Sequence, residues 1–177
     1  NIPILDVISP MKNILNHYPR IKRLGVIGTH NTIESQSYNQ LLLTTKSDLQ
    51  IFSQACPLFV PIIEEGLENH KITKMISQEY LKALIVHNIE LLILGCTHYP
   101  IMQNTIRGCL PPHIDLVDSA ELLTLEVKKY LQINNLLSNS DLSNIDIMVT
   151  DFNQKFSTFA NKILEIEECS ISEIKLF

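Results

Sequence analysis

The sequence predicts an α/β fold built on a mostly parallel sheet, and three observations carry that prediction. Short, near-continuous runs of Val, Ile and Leu recur along the chain, as in strands buried on both faces. Stretches with helical apolar spacing or helix-start chemistry lie between them. Small polar residues close three of the runs, at Gly28-Thr29, Gly95-Cys96-Thr97 and Asp118-Ser119. Ligands of such sheets bind beyond the carboxyl ends of the strands, so these three turns form the candidate site.

Taken in order, Ile4 to Ile8 reads as a strand stopped by Ser9-Pro10. Leu24 to Ile27 is the second strand, and Leu49 to Phe52, followed by Cys56-Pro57, the third. Leu91 to Leu94 and Ile114 to Val117 come next, with Ile145 to Val149 and Ile174 to Phe177 completing the set. Asn31 with Glu34, and Asp118 with Glu121, have the spacing of a capping box. Pro100 is placed to open a helix. Ser119 to Leu131 shows helical spacing through Leu122, Leu123, Val127 and Leu131, and Phe156 to Leu164 does the same. Asn134 to Asn144, rich in Asn and Ser, reads as a loop.

Composition narrows the function classes. A chain of 177 residues with 45% hydrophobic content makes one large domain or two small ones with a real core. A net charge of -5, with Arg20-Ile21-Lys22-Arg23 as the one basic cluster, argues against a nucleic-acid binder. No apolar run reaches the length of a membrane span. Asn1-Ile2-Pro3-Ile4-Leu5 lacks the pattern of a signal peptide and an initiator Met, so the chain is expected to be cut at its front. The four cysteines, Cys56, Cys96, Cys109 and Cys169, match no zinc or C-x-x-C spacing. No metal site is expected, and reduced thiols in a cytoplasm are.

Cys96 is the strongest chemical candidate. A thiol between a strand end and a helix N-terminus is favoured as thiolate, which predicts a pKa lowered towards neutrality. His98, two residues on, can act as a cation or a proton donor. The bland alternative is a small buried Cys with a structural His, the commoner meaning of an arbitrary Cys-x-His. Gly28-Thr29-His30-Asn31-Thr32 offers hydroxyls and backbone N–H groups to a carboxylate, or is an ordinary N-cap loop. It is not G-x-G-x-x-G, which rules out a dinucleotide site. Glu64 and Glu65 are adjacent on a helix, so at most one faces a given site. Cys109 and Cys169 have no polar company and read as structural.

Several segments together resemble the glutamate racemases. They are Leu24-Gly25-Val26-Ile27-Gly28-Thr29 with Thr32, Ser35 and Tyr38, then Ala55-Cys56-Pro57-Leu58-Phe59-Val60-Pro61 with Glu64-Glu65-Gly66. Leu92-Ile93-Leu94-Gly95-Cys96-Thr97-His98-Tyr99-Pro100 is the most specific, and Val117-Asp118-Ser119-Ala120-Glu121 and Thr150-Asp151 with Phe156 follow in the right order. The resemblance implies a cofactor-independent racemase acting on glutamate. Two cysteines on opposite sides of the substrate Cα exchange its proton, and fixed hydrogen bonds stabilise the carbanion-like state. By the match Cys96 is one of the two. His98 and Glu64 would tune it or assist proton transfer, and Thr29, Thr32 and Thr97 would bind substrate. D-glutamate would feed peptidoglycan synthesis.

The same resemblance implies a two-domain racemase-type fold with an incomplete first domain. The second domain is expected at 10–117, and 1–9 with 118–177 are the remainder of the first. The family's Asp-Ser-Gly, Pro-Tyr-Gly and Ala-Cys-Asn-Thr segments, the last holding the other thiol, do not occur here. Racemisation by this chain alone is therefore expected to nearly vanish. Poor stability or association with another chain, for instance as a homodimer, is expected too. Three other readings stand beside this one. The chain is a non-catalytic remnant serving in assembly, or a one-thiol decarboxylase or isomerase of the same superfamily, or a Cys–His hydrolase. His98-Tyr99-Pro100 speaks against the second, and the closeness of Cys96 and His98 along one turn speaks against the third.

Overall fold

In a computed structural model, which describes residues 2–138, 145–164 and 170–175, the apolar runs become parallel strands. The chain divides into two compact units, Asn1–Leu136 and Leu137–Phe177.

The first unit is a sheet of four parallel strands: β1 (Arg23–Gly28), β2 (Gln50–Ala55), β3 (Leu91–Leu94) and β4 (Asp115–Asp118). Their order across the sheet is β2-β1-β3-β4. Seven α-helices accompany them: α1 (Ile14–His17), α2 (His30–Glu34), α3 (Ser37–Thr45), α4 (Phe59–Glu64), α5 (Lys71–Val86), α6 (Gln103–Arg107) and α7 (Ser119–Ile133). Short 3-10 helices span Ser9–Asn13 and Tyr99–Met102, the second with Pro100 in its first turn.

Alternation along the strands separates two cores. Leu24 and Val26 of β1, with Leu91 and Ile93 of β3, join Met11, Leu15, Tyr38 and Leu42 on one face. On the other face Gly25 lies so close to Ile89 and Leu92 that an added Cβ would sit 2.7 and 3.0 Å from their Cδ1 atoms. Helices thus cover both faces, and all four residues of β3 are fully buried.

Three sequence expectations are corrected. Ile4 to Ile8 is not a strand: Ile4 is 87% exposed, and the Asp6 carboxylate accepts hydrogen bonds from the N–H groups of Ile8 and Ser9. That local capping starts a 3-10 helix instead. Asn31 does not cap α2. Thr29 leaves β1 in extended conformation and its hydroxyl accepts from the Thr32 N–H, so the helix opens earlier. The strand expected at Ile174 to Phe177 is not formed at Ile174 and Lys175, and its last two residues lie outside the described residues.

That last point belongs to the second unit, where β5 (Asp146–Val149) pairs in parallel with β6 (Ser170–Glu173). The register sets Ile147 opposite Ile171, an apolar pair that selects this segment. Ile174 adds one bond, its N–H to the Val149 carbonyl at 2.8 Å, and Phe177 lies outside the described residues. Between the strands runs α8 (Gln154–Leu164), started by Asn153, whose side-chain oxygen accepts from the Phe156 N–H at 2.8 Å.

Candidate active site

The chain leaves β1 towards β2 on one side and comes back to β3 on the other. This reversal makes the carboxyl ends of β1 and β3 the switch point of the sheet. Ile27 and Leu94 are register partners, and the Gly95 N–H donates to the Ile27 carbonyl at 2.8 Å. Thr29 and Cys96 therefore leave adjacent strands at the same level. Gly95 has no left-handed φ to explain it; its reason is space. A Cβ there would lie 2.9 Å from the Ile27 carbonyl oxygen and 3.0 Å from Cε2 of Tyr38.

Cys96 is a free, half-buried thiol. Burial pushes its pKa up, while the nearby backbone N–H groups of His98 and Tyr99 pull it down; the Tyr99 N–H itself donates to the Cys96 carbonyl at 3.1 Å. Burial is the larger effect, so the expected lowering is overturned. The helix that follows is a short 3-10 turn, Tyr99–Met102, which supplies little dipole.

His98 and Glu64 come together from distant sequence, with Nε2 3.7 Å from Oε1. Tyr99 makes this possible. Its hydroxyl donates to the Cys56 carbonyl at 3.0 Å, and its ring meets Phe59 edge-on, centroids 5.2 Å apart. The turn after β3 is thereby fastened to the start of α4, whose last residue is Glu64. Cys56 is fully buried, its thiol pushed up by desolvation and its Sγ pointing to the Gln54 carbonyl. Cys109 is half-buried, with Sγ 3.7 Å from the Lys74 carbonyl, and Cys169 lies outside the described residues.

Thr29 and Thr32 share a hydrogen bond between their hydroxyls at 3.0 Å. Thr97 is exposed between Cys96 and His98. Among the described residues no three or more His, Cys, Asp or Glu side chains gather as metal ligands would, and no helix is long and apolar enough to cross a membrane.

Two residues at this rim were assigned no role from sequence. Ser119 opens α7 and its hydroxyl donates to the Leu94 carbonyl at 3.0 Å. Tyr38 of α3 is buried, and its ring lies against Gly95, Cε2 being 3.0 Å from where a Cβ would stand. Beside them Asp118 caps α7, accepting from the Ala120 N–H at 2.8 Å; burial pushes its carboxyl up. Asp118-Ser119 was visible as a strand-end pair, but nothing in the pattern shows that Tyr38 packs against Gly95.

No family model matches the chain. A glutamate racemase from Sulfurihydrogenibium sp. is 36% identical over 98% of this chain, which spans 65% of that protein. "Glutamate racemase 2" of Caldanaerobacter subterraneus subsp. tengcongensis is 31% identical over the whole chain, which covers 68% of its length. This chain belongs to the glutamate racemase family. The fold agrees: the glutamate racemase of Francisella tularensis, solved with D-glutamate, superposes with a TM-score of 0.89 at 31% identity. That match covers 99% of this chain and 65% of that one. The chain thus spans just under two-thirds of the Sulfurihydrogenibium and Francisella racemases.

Proposed function

We propose that this chain carries one of the two proton-transfer faces of a cofactor-independent glutamate racemase. Cys96 as thiolate removes the Cα proton from one face of bound glutamate. The electron pair left on Cα is spread onto the adjacent carboxylate. Return of the proton from Cys96 restores the starting enantiomer, and delivery from a second thiol on the far face gives the other. That second thiol would come from the part of the family's length not spanned here. His98, held by Glu64, would pass the proton at the thiol's side. Thr29, Thr32 and Thr97 would bind the substrate carboxylate and amino group. Cys96 and Thr29 leave neighbouring strands at one switch point, and that juxtaposition supports the reading. The 10–117 segment would be the complete second domain, with 1–9 and 118–177 belonging to the first. D-glutamate so formed would serve peptidoglycan synthesis in the cytoplasm, and a second copy of the chain is the proposed partner.

Incubation of the 177-residue chain with each glutamate enantiomer in D2O tests this. One enantiomer should take up deuterium at Cα with retained configuration, and Cys96→Ala should stop the uptake. Circular dichroism should show almost no inversion. Equal exchange of both enantiomers, or full-speed inversion, would overturn the one-face account.

A further inference from the structure

α7 buries little of itself. Of its fifteen residues, Ser119 to Ile133, only Ser119 is buried. Leu125 and Ile133 are 59% and 70% exposed. Leu122, Glu126 and Tyr130 are half-buried, and Lys129 is exposed. These six side chains line a groove of about 410 Å3, together with residues of the Ser9–Asn13 turn. Their i, i+3, i+4 spacing puts them on one side of the helix. An exposed apolar stripe with charges among it is the form of a docking face.

The order of these residues along α7 says what covers them. Taken inwards from the two ends of the stripe, Leu122 pairs with Ile133, Leu125 with Tyr130 and Glu126 with Lys129. All three pairs are centred on one point, between Val127 and Lys128. A two-fold axis through that point, perpendicular to the helix, would lay a second α7 antiparallel on the first. Each apolar side chain then meets an apolar or aromatic one, and each charge meets its opposite. Such a contact is isologous, so every pair occurs twice. A parallel arrangement in register would instead set Glu126 against Glu126 and Lys129 against Lys129, which repel.

We propose that this side of α7 is the face on which a second copy of the chain docks, antiparallel, across a two-fold axis between Val127 and Lys128. The face takes the second copy already proposed as partner, and rests on that reading. From Leu122 to Ile133 the stripe is about 17 Å long. That is at the small end of specific interfaces, so the dimer should form only as concentration rises.

The test is a charge swap followed by sedimentation equilibrium of the full chain. Glu126→Lys sets Lys against Lys on both sides of the axis and should weaken the dimer by roughly tenfold or more. Lys129→Glu, at an exposed position, should do the same. The double variant Glu126→Lys/Lys129→Glu restores both opposite-charge pairs, and its dissociation constant should return to within about threefold of the parent's. Glu126 and Lys129 also attract each other within one helix, but that pairing sets helix stability, which far-UV circular dichroism reads separately. A dimer indifferent to the single swaps, or one that the double swap fails to recover, overturns this face and gives the groove to another occupant. A parent chain that stays monomeric at every concentration overturns the second copy as partner as well, so the two failures are distinguishable.

Discussion

At the scale of single residues, Tyr99 shows how a side chain with no part in the chemistry sets up a site. Its hydroxyl is buried against the Cys56 carbonyl, and its ring stands against Phe59. Tyr99→Phe keeps the ring and removes one of two hydrogen bonds that the Cys56 carbonyl accepts, the other coming from the Phe59 N–H at 3.2 Å. That should lower stability by about 0.5–1.5 kcal/mol in urea denaturation. An unchanged midpoint would show that water replaces the bond. The motif around Cys96 was legible in the sequence because glycine, thiol and histidine are adjacent there. The partnership of His98 with Glu64 was not legible, because 34 positions separate them; family likeness implied only that each acts near Cys96. The thiol's pKa was misread, since burial depends on what packs around the turn and spacing does not reveal that.

At the scale of elements, the amino ends of the strands are tied as firmly as the carboxyl ends are left open. Glu90, just before β3, accepts the N–H groups of Lys22 and Arg23 on one oxygen, both at 2.8 Å. Its own N–H donates to the Arg23 carbonyl, and its carbonyl accepts from Asp115. The Lys22 N–H bond, then that of Arg23 and the charges of both residues, hold the Glu90 carboxyl below its ordinary value of 4.5. A depressed carboxylate pKa adds stability above that ordinary value, and the gain is lost as pH falls through the lower folded value. Glu90→Gln should therefore melt earlier than the parent at neutral pH, with the gap closing as pH drops below about 4.5. A gap that persists in acid would mean that packing, not charge, is at work. The strands buried on both faces were readable from their apolar runs. Ile4 to Ile8 misled because an apolar run needs a neighbouring strand, and there Asp6 offers the backbone a local alternative.

At the scale of the molecule, the first unit exposes large apolar side chains along α7. Leu125 and Ile133 on α7 are 59% and 70% exposed, and with Leu5, Pro10 and Leu122 they line a groove of about 410 Å3. Sedimentation velocity should show a weight-average coefficient that rises with protein concentration, and the double variant Leu125→Glu/Ile133→Glu should remain monomeric. A single monomer boundary at every concentration would argue against self-association. The sequence by itself determined the α/β class, the parallel strands, the turn that bears Cys96 and the family, because these rest on local periodicity and contiguous motifs. Only the tertiary structure decided the strand order, the pairing of His98 with Glu64, the balance of forces on the thiol and the packing of Tyr38 against Gly95. Those depend on which buried surfaces meet across the sheet, and no spacing along the chain encodes that distance.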